Sequence, residues 1–271
     1  MPIVYAHRGG AALRPENTIA AFDHGMACGA DGLEFDVHLS KDGVVVIHHD
    51  DTLERTTSGS GPLAAFTADE LAALDACCHF RDATGARPYR DQGFGVPTLR
   101  EVLHRYPGAP LIVELKTGGA RLAHAVAAEI RAAGALDRVA IGSFHTDALH
   151  AVRACEPAIA TGAAKGETRW ALYRSWVGWP LGETPYREFQ VPERSGVTPI
   201  VTRRFVRHAH RAGIPVKVWT VDTAEDIRRL LSYGVDAVIT DRPDVARSVI
   251  GFHGKPMTDR DGKWKMENGK S

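Results

Sequence analysis

The stretch IVYAHRGGAALRPENTIAAFDHGMACGADGLEFDV, residues 3–37, contains one complete strand, helix and strand. Its apolar runs at 3–7 and 32–37 have the composition of short β-strands, and residues 17–29 have the spacing of an amphipathic helix. Asn17 is a candidate helix start, because its side-chain oxygen can accept from a free first-turn amide. Two strands joined by a helix are typical of a parallel βα unit, so this stretch predicts a βα-repeating fold.

The same alternation of strand-like and helical segments continues along the chain. The predicted strands span residues 3–7, 32–37, 110–116, 139–142, 158–163, 187–191, 215–221 and 236–240. The predicted helices span residues 17–29, 98–106, 119–133, 145–155, 202–212, 223–233 and 243–250, with Thr98, Thr202 and Thr223 as further candidate starts. Eight strands with helices between them in 271 residues favour an α/β fold of the (β/α)8 TIM-barrel type. An open doubly wound sheet remains the alternative.

One region interrupts the alternation after the second strand. Lys41-Asp42-Gly43 has the composition of a hairpin turn, residues 44–48 form a further strand-like run, and residues 50–96 mix helical and loop segments. In a barrel, such an insertion lies over the mouth at the carboxyl ends of the strands. We therefore predict one barrel domain over residues 1–250, with the insertion at about 50–96, and a mobile polar tail at 251–271.

Composition excludes several classes of partner. The 33 basic and 33 acidic residues give a formal charge of zero, so no overall field attracts nucleic acid or an anionic membrane. No apolar run approaches the ~18 residues of a membrane span, so we expect no stable membrane insertion. The four cysteines have no C-x-x-C spacing and the N-terminus resembles no signal peptide, so we expect free thiols in a cytoplasmic protein.

Charged side chains and histidines stand where the predicted strands end. These residues are His7 and Arg8, Glu34 and Asp36, His49 and Asp50, and Glu114 and Lys116. Residues two apart on a strand share a face, and the carboxyl ends of parallel strands meet at one rim, so we expect these side chains to converge. An unpaired buried charge costs several kcal/mol, whereas a metal ion or an anionic substrate would neutralise it.

The residue types at this rim point to phosphodiester chemistry. Any one carboxylate taken alone is more typical of a cap or a salt bridge, but Glu34, Asp36 and Glu114 together form an oxygen-rich set suited to Ca²⁺ or Mg²⁺. Arg8 and Lys116 suit the phosphoryl oxygens of a small-molecule substrate. The two histidines suit a pair in which one imidazole accepts a proton and the other donates one.

Five motifs in sequence order give the chain a family resemblance. The segments AHRGG…PENT, GLEFDVHLSKDGVVVIHHDDTLERTT, VPTLREVL, IVELK and DAVITDRP resemble the glycerophosphodiester phosphodiesterase family over roughly residues 5–245. The resemblance implies a TIM barrel, a divalent metal ion, and hydrolysis of a glycerophosphodiester to sn-glycerol 3-phosphate and an alcohol.

Position by position, the resemblance also implies roles for single residues. His7 and His49 match the acid and base pair. The metal ligands are matched by Glu34, Asp36 and Glu114, and the phosphate-contacting groups by Arg8 and Lys116. Because Asp50 can favour proton acceptance by His49, we assign His7 as the acid and His49 as the base. His48 should face the other side of its strand and is given no catalytic role, while Trp219 either packs against the substrate or belongs to the core.

Several alternatives stay open. A phospholipase D-type activity on lysophospholipids or sphingomyelin would use the same barrel and histidines, and a phosphate-ligand sensor would keep the pocket without turnover. The segment WALYRSWVGWPLG, residues 170–182, favours a barrel helix whose aromatic side chains pack on strands five and six, over a membrane-touching lid. Asp222 replaces an asparagine common in the family, and Lys165 is a loop lysine or a further phosphate contact.

Overall fold

The computed structural model describes residues 1–251, and these form a parallel β-barrel surrounded by helices. The strands are β1 (Ile3–His7), β2 (Gly32–Leu39), β3 (Val45–Ile47), β4 (Leu111–Leu115), β5 (Val139–Ser143), β6 (Ala160–Thr161), β7 (Phe189–Pro192), β8 (Arg194–Ser195), β9 (Thr198–Pro199), β10 (Val216–Trp219) and β11 (Ala237–Thr240). The helices are α1 (Ile19–Ala27), α2 (Ala68–Ala72), α3 (Leu99–Arg105), α4 (Ala120–Ala132), α5 (Thr146–Cys155), α6 (Lys165–Val177), α7 (Arg203–Arg211), α8 (Ala224–Tyr233) and α9 (Pro243–Ile250).

The parallel strands close on themselves. Their order is β6-β5-β4-β2-β1-β11-β10-β7, and a parallel bridge between Gly162 and Glu188 joins the two end strands. The amide of Ala163 donates to the Glu188 carbonyl at 2.9 Å, and the amide of Arg187 donates to the Thr161 carbonyl at 3.0 Å. Each of the eight predicted strands is present, so the TIM-barrel prediction is confirmed.

Strand alternation separates two kinds of core. Residues such as Val4, Leu33 and Phe35 face outward into the large core between barrel and helices. Tyr5, Ile112 and other inward-facing residues form a small core inside the barrel. The polar residues at the strand ends lie two positions further along the same strands and so share the inward face. Strand alternation therefore directs their side chains into the mouth of the barrel.

The first helix starts one residue later than predicted. Thr18, rather than Asn17, caps α1, and its hydroxyl accepts from the amide of Ala21 at 3.2 Å. Asn17 instead has a φ of +58°, a left-handed conformation that asparagine tolerates, and its side chain turns toward β2. The predicted caps Thr98, Thr202 and Thr223 are all found.

The insertion has its own small core over the barrel. Strand β3 pairs antiparallel with β2, as the hairpin turn predicts. Beyond it, Leu53, Leu63, Leu71 and Val96 bury their side chains together with Val46 of β3. The predicted tail lies, apart from Gly251, outside the described residues.

The aromatic segment forms a helix, but its predicted packing is wrong. Helix α6 begins at Lys165, and its buried face consists of Thr168, Ala171, Leu172 and Ser175. Its aromatic side chains are exposed: 59% for Trp170, 47% for Tyr173 and 47% for Trp176. Thr168, Ala171, Leu172 and Ser175 therefore make the contact with the barrel, and the three rings stay about half exposed. Over residues 1–251 the helices are all too short or too polar to cross a membrane.

Candidate active site

Three carboxylates converge where β2 and β4 end. The register places Glu34 beside His7 of β1, and Asp36 beside Glu114 of β4. One carboxylate oxygen from each of Glu34, Asp36 and Glu114 lies within 4.8 Å of the others. The side chains that strand alternation predicts to converge are therefore brought together in the structure.

Asp36 is the most completely enclosed of the three, with an exposure of 1%. Its carboxylate lies 3.1 Å from Nε of Arg8 and 3.4 Å from Nζ of Lys116. It also accepts from Nδ2 of Asn17 at 2.9 Å. Sequence reasoning gave Asn17 a capping role and missed this contact, although Asn17 lies within the PENT motif.

The carboxylate set suits a hard divalent cation. Burial, together with the charges of Asp36 and Glu114, raises the pKa of Glu34 to about 8, although His7 opposes the shift. Arg8 and Lys116 pair with Asp36 and Glu114, and the third carboxylate, Glu34, lies against His7. All three donors are oxygen atoms, the ligands that Ca²⁺ and Mg²⁺ prefer.

His7 is held between two carboxylates. Its Nδ1 lies 2.7 Å from Oδ1 of Asp241, and its Nε2 lies 3.7 Å from Oε2 of Glu34. Burial lowers the pKa of His7, but these two carboxylates outweigh burial and raise it to about 9. Asp241 was missed as a site residue, although the DAVITDRP motif contains it at the end of a strand.

Asp222 fixes the position of Asp241. Its Oδ1 accepts from the amide of Asp241 at 2.8 Å and from the hydroxyl of Thr240 at 2.9 Å. Asp222, which replaces the asparagine common in the family, therefore holds Asp241, the hydrogen-bond partner of His7, in position. Both of these contacts use an oxygen acceptor, which asparagine also carries.

His49 is held in turn by a chain of ion pairs from the insertion. Its Nδ1 lies 2.5 Å from Oδ1 of Asp50, and Nε of Arg55 lies 2.5 Å from the other oxygen of Asp50. Arg55 also donates to both oxygens of Glu16 at 2.8 Å, and Glu16 accepts from Arg8 at 3.0 Å. Burial raises the pKa of Asp50, but Arg55 and His49 outweigh burial and hold it well below its usual range.

These ion pairs join the insertion to Arg8 at the end of β1. Arg55 and Arg8 together lower the pKa of Glu16 to about 2, against the effect of burial. Neither Glu16 nor Arg55 was predicted as a site residue, although the PENT and GLEFDVHLSKDGVVVIHHDDTLERTT motifs contain them.

The neighbouring His48 lies in different surroundings. It is 3% exposed, its Nε2 has no hydrogen-bond partner within the described residues, and burial lowers its pKa to about 4. It faces a narrow space beneath the insertion, lined by residues such as Thr57 and Val96. Its burial contrasts with the 30% exposure of the His49 side chain.

A cavity of about 430 Å³ opens beside Glu114. The floor is formed by the ends of β5, β6 and β7, and the walls by α6 and the β8–β9 hairpin. Trp219 lies at its edge, with its ring 5.9 Å from that of Phe144 in an edge-to-face contact. Lys165 begins α6 and also lines this cavity, so it does not lie in a free loop.

Comparison with known sequences gives a match over most of the chain. The model of the glycerophosphoryl diester phosphodiesterase family matches residues 7–245. A glycerophosphodiester phosphodiesterase of Caldanaerobacter subterraneus subsp. tengcongensis is 32% identical, over 92% of this chain and 97% of the relative. The probable glycerophosphodiester phosphodiesterase 2 of Mycobacterium tuberculosis is also 32% identical, over 93% of this chain and 92% of the relative.

Solved structures agree in fold. The glycerophosphoryl diester phosphodiesterase domain of an uncharacterised Mycobacterium tuberculosis protein superposes with a TM-score of 0.80 at 25% identity, covering 91% of this chain and 98% of that domain. A phosphodiesterase of Oleispira antarctica, solved in complex with the product sn-glycerol-3-phosphate, has a TM-score of 0.72 at 27% identity, covering 92% of this chain and 97% of that one.

Proposed function

The chain belongs to the glycerophosphoryl diester phosphodiesterase family, and we propose that it hydrolyses glycerophosphodiesters to sn-glycerol 3-phosphate and an alcohol. The observation that supports this most directly is the pair of histidine–aspartate contacts at the rim, His7 with Asp241 and His49 with Asp50, beside the carboxylate set. The named activity of the relatives and the product bound to the Oleispira antarctica enzyme agree with it.

The substrate phosphodiester binds, in this proposal, through Arg8 and Lys116. Both side chains are only partly exposed and stand at the mouth, at 17% and 16%. They now face Asp36 and Glu114, so binding an anion would weaken these pairs and leave the carboxylates in need of another cation. The charges therefore balance when one divalent ion joins one phosphodiester.

We propose that Glu34, Asp36 and Glu114 hold this ion, as Ca²⁺ or Mg²⁺. When bound, it supplies positive charge next to a phosphoryl oxygen, which stabilises the charge that develops in the transition state. Asn17 then holds the Asp36 carboxylate in place through the hydrogen bond that its Nδ2 donates.

The two histidines have different electrostatic surroundings, and this supports different roles. His7 faces two carboxylates, Asp241 and Glu34, which favour the imidazolium form needed by an acid. His49 contacts one carboxylate, Asp50, whose charge Arg55 already balances. Asp50 orients the Nδ1 side of the ring, and Nε2 is then the atom that accepts the nucleophile's proton.

The test uses purified protein and a panel of glycerophosphodiesters that differ in the alcohol, assayed with Ca²⁺, Mg²⁺ or chelator. Phosphorus NMR identifies the product that carries the phosphate. We expect sn-glycerol 3-phosphate and free alcohol, and no turnover by a His7→Ala, His49→Ala double variant made in parallel. Release of a phosphorylated alcohol would reverse the cleavage direction, and saturable binding without turnover would identify a sensor instead.

The location in the cell is also part of the proposal. Cys28, Cys77, Cys78 and Cys155 are all unpaired in the structure, as the sequence predicts. Unpaired thiols are typical of a reducing compartment, which supports a cytoplasmic protein. The balanced charge supports a small-molecule substrate over nucleic acid.

A further inference from the structure

We propose that the cavity beside Glu114 binds an aliphatic chain carried by the substrate. This proposal rests on the proposed function and deepens it by naming a substrate class, the glycerophosphodiesters with an alkyl or acyl chain on one arm. The cavity holds about 430 Å³, within the ~300–1,000 Å³ of ordinary ligand pockets. Since Glu114 both belongs to the carboxylate set and lines the cavity, a chain there is continuous with the reacting phosphate.

The lining is mainly apolar and aromatic. Helix α6 contributes Leu172, Tyr173 and Trp176 at helical spacing, the opposite wall contributes Ile200, and Phe144 and Trp219 stand at the edge. Several of these rings have no covering group, with exposures of 60% for Phe144 and 47% for both Tyr173 and Trp176. A ligand chain would remove this apolar surface from water.

Exposed apolar side chains also stand next in sequence to residues that line the cavity. Val177 and Trp179 follow the lining residue Trp176, with exposures of 74% and 65%. On the opposite wall, Val197 lies between the lining residues Ser195 and Thr198 and is 90% exposed. These side chains add exposed apolar surface to the two segments that form the walls of the cavity.

The charges at the cavity favour a chain over a quaternary ammonium group. Aromatic rings also bind such cations, so choline is the competing occupant. However, Lys165 and Arg169 line the same cavity from one face of α6, and neither has an acidic partner in the described part of the chain. With the single carboxylate of Glu114, these two cations leave the lining with a net positive charge, which disfavours choline more than an uncharged chain.

The chain could belong either to an acyl group on the glycerol or to the leaving alcohol. Two series of substrates distinguish these sources. In one series a chain of two to ten carbons is attached as an acyl group to the glycerol of glycerophosphocholine. In the other series an alcohol of the same length is the leaving group, and members short enough to stay monomeric are compared. Burial of one methylene is worth about fourfold in kcat/KM, so we expect a rise of that size per carbon in one series, up to a plateau.

Two variants and a matched control locate the effect. Tyr173→Ala and Trp176→Ala should flatten the dependence on chain length and change kcat/KM for glycerophosphoethanol, the shortest member of the alcohol series, less than about twofold. Trp170→Ala removes a somewhat more exposed ring, at 59%, from the same helix outside the cavity, and it should keep the full dependence.

The outcomes separate the two proposals. If no member of either series is hydrolysed, the proposed function fails. Hydrolysis with no chain dependence in either series overturns the inference alone. It is also overturned if the enzyme prefers glycerophosphocholine to glycerophosphoethanol and the Tyr173→Ala and Trp176→Ala variants lose that preference, since the cavity would then bind choline.

Discussion

Asp241 at the end of β11 lies 2.7 Å from Nδ1 of His7 at the end of the neighbouring strand β1. The register of these two strands places the residues before them, Thr240 and Ala6, side by side. The contact is therefore built into the closure of the barrel, between residues 234 positions apart in sequence. It fixes both the orientation and the charge of the proposed acid.

Replacing Asp241 should therefore change a pH profile as well as a rate. Asp241→Asn removes a negative charge that helps raise the pKa of His7 to about 9, so that pKa should fall. The protonated acid is then lost at lower pH, and the basic limb of the kcat profile should move downward, with kcat reduced about 10- to 100-fold.

The matched control is Asp244→Asn, which removes a nearby carboxylate paired with Arg242 instead. It should leave the profile in place. An unchanged basic limb in Asp241→Asn, measured over the same pH range, would show that the contact does not set the protonation of His7.

The second prediction concerns the metal ion. Chelation with EDTA should abolish turnover, and Ca²⁺ or Mg²⁺ should restore it. Glu34→Gln and Asp36→Asn should each weaken binding of the ion in calorimetry and reduce kcat, because each removes a charged oxygen ligand. Binding of the ion should also raise the melting temperature of the unaltered protein.

Glu183→Gln is the control, since it removes an exposed loop carboxylate distant in sequence from the set. It should bind the ion as the unaltered protein does. Full activity after exhaustive chelation would remove the ion from the mechanism.

The third prediction concerns Arg55, which links Asp50 to Glu16. Its side chain is 47% exposed, so Arg55→Ala should fold normally. Loss of the link should let Asp50 and His49 move and reduce kcat about tenfold with little change in KM, because positioning of the base acts on the chemical step.

A double-variant cycle makes this prediction specific. If Arg55 acts through Asp50, then Arg55→Ala should have almost no further effect in an Asp50→Ala background. Arg90→Ala, which removes a similarly exposed arginine of the insertion, serves as the control. Additive losses in the cycle would contradict a positioning role.

The barrel and much of its rim were predictable from local sequence. Strand alternation places Glu34 and Asp36 on one face of their strand, and Glu114 and Lys116 on one face of theirs. Parallel pairing then brings the ends of these strands together independently of the loop conformations. The contacts of Asp241 and Asn17 were not predictable in this way, because they depend on which strands become neighbours and on one left-handed backbone conformation.

Helix α6 shows the limit of spacing arguments. Trp170, Tyr173 and Trp176 have the spacing of a helix face, and such a face is usually buried. Here Ala171 and Ser175 lie on the buried face instead, and the three rings are 47–59% exposed. Periodicity predicted the helix, and only the packing decided which face is buried.

The last prediction assigns the two protons. His7→Ala and His49→Ala should each reduce kcat by about 10²- to 10⁴-fold, because each removes one proton transfer from the transition state. His48→Ala should keep kcat near normal, since this residue is buried beneath the insertion and not at the rim. A substrate with a p-nitrophenol leaving group needs no protonation of that group, so it should rescue the acid variant His7→Ala and leave the base variant His49→Ala slow. Equal losses for both variants on that substrate would refute the assignment of roles. A loss in His48→Ala as large as that in His49→Ala, with an unchanged melting temperature, would refute the choice between the two neighbours.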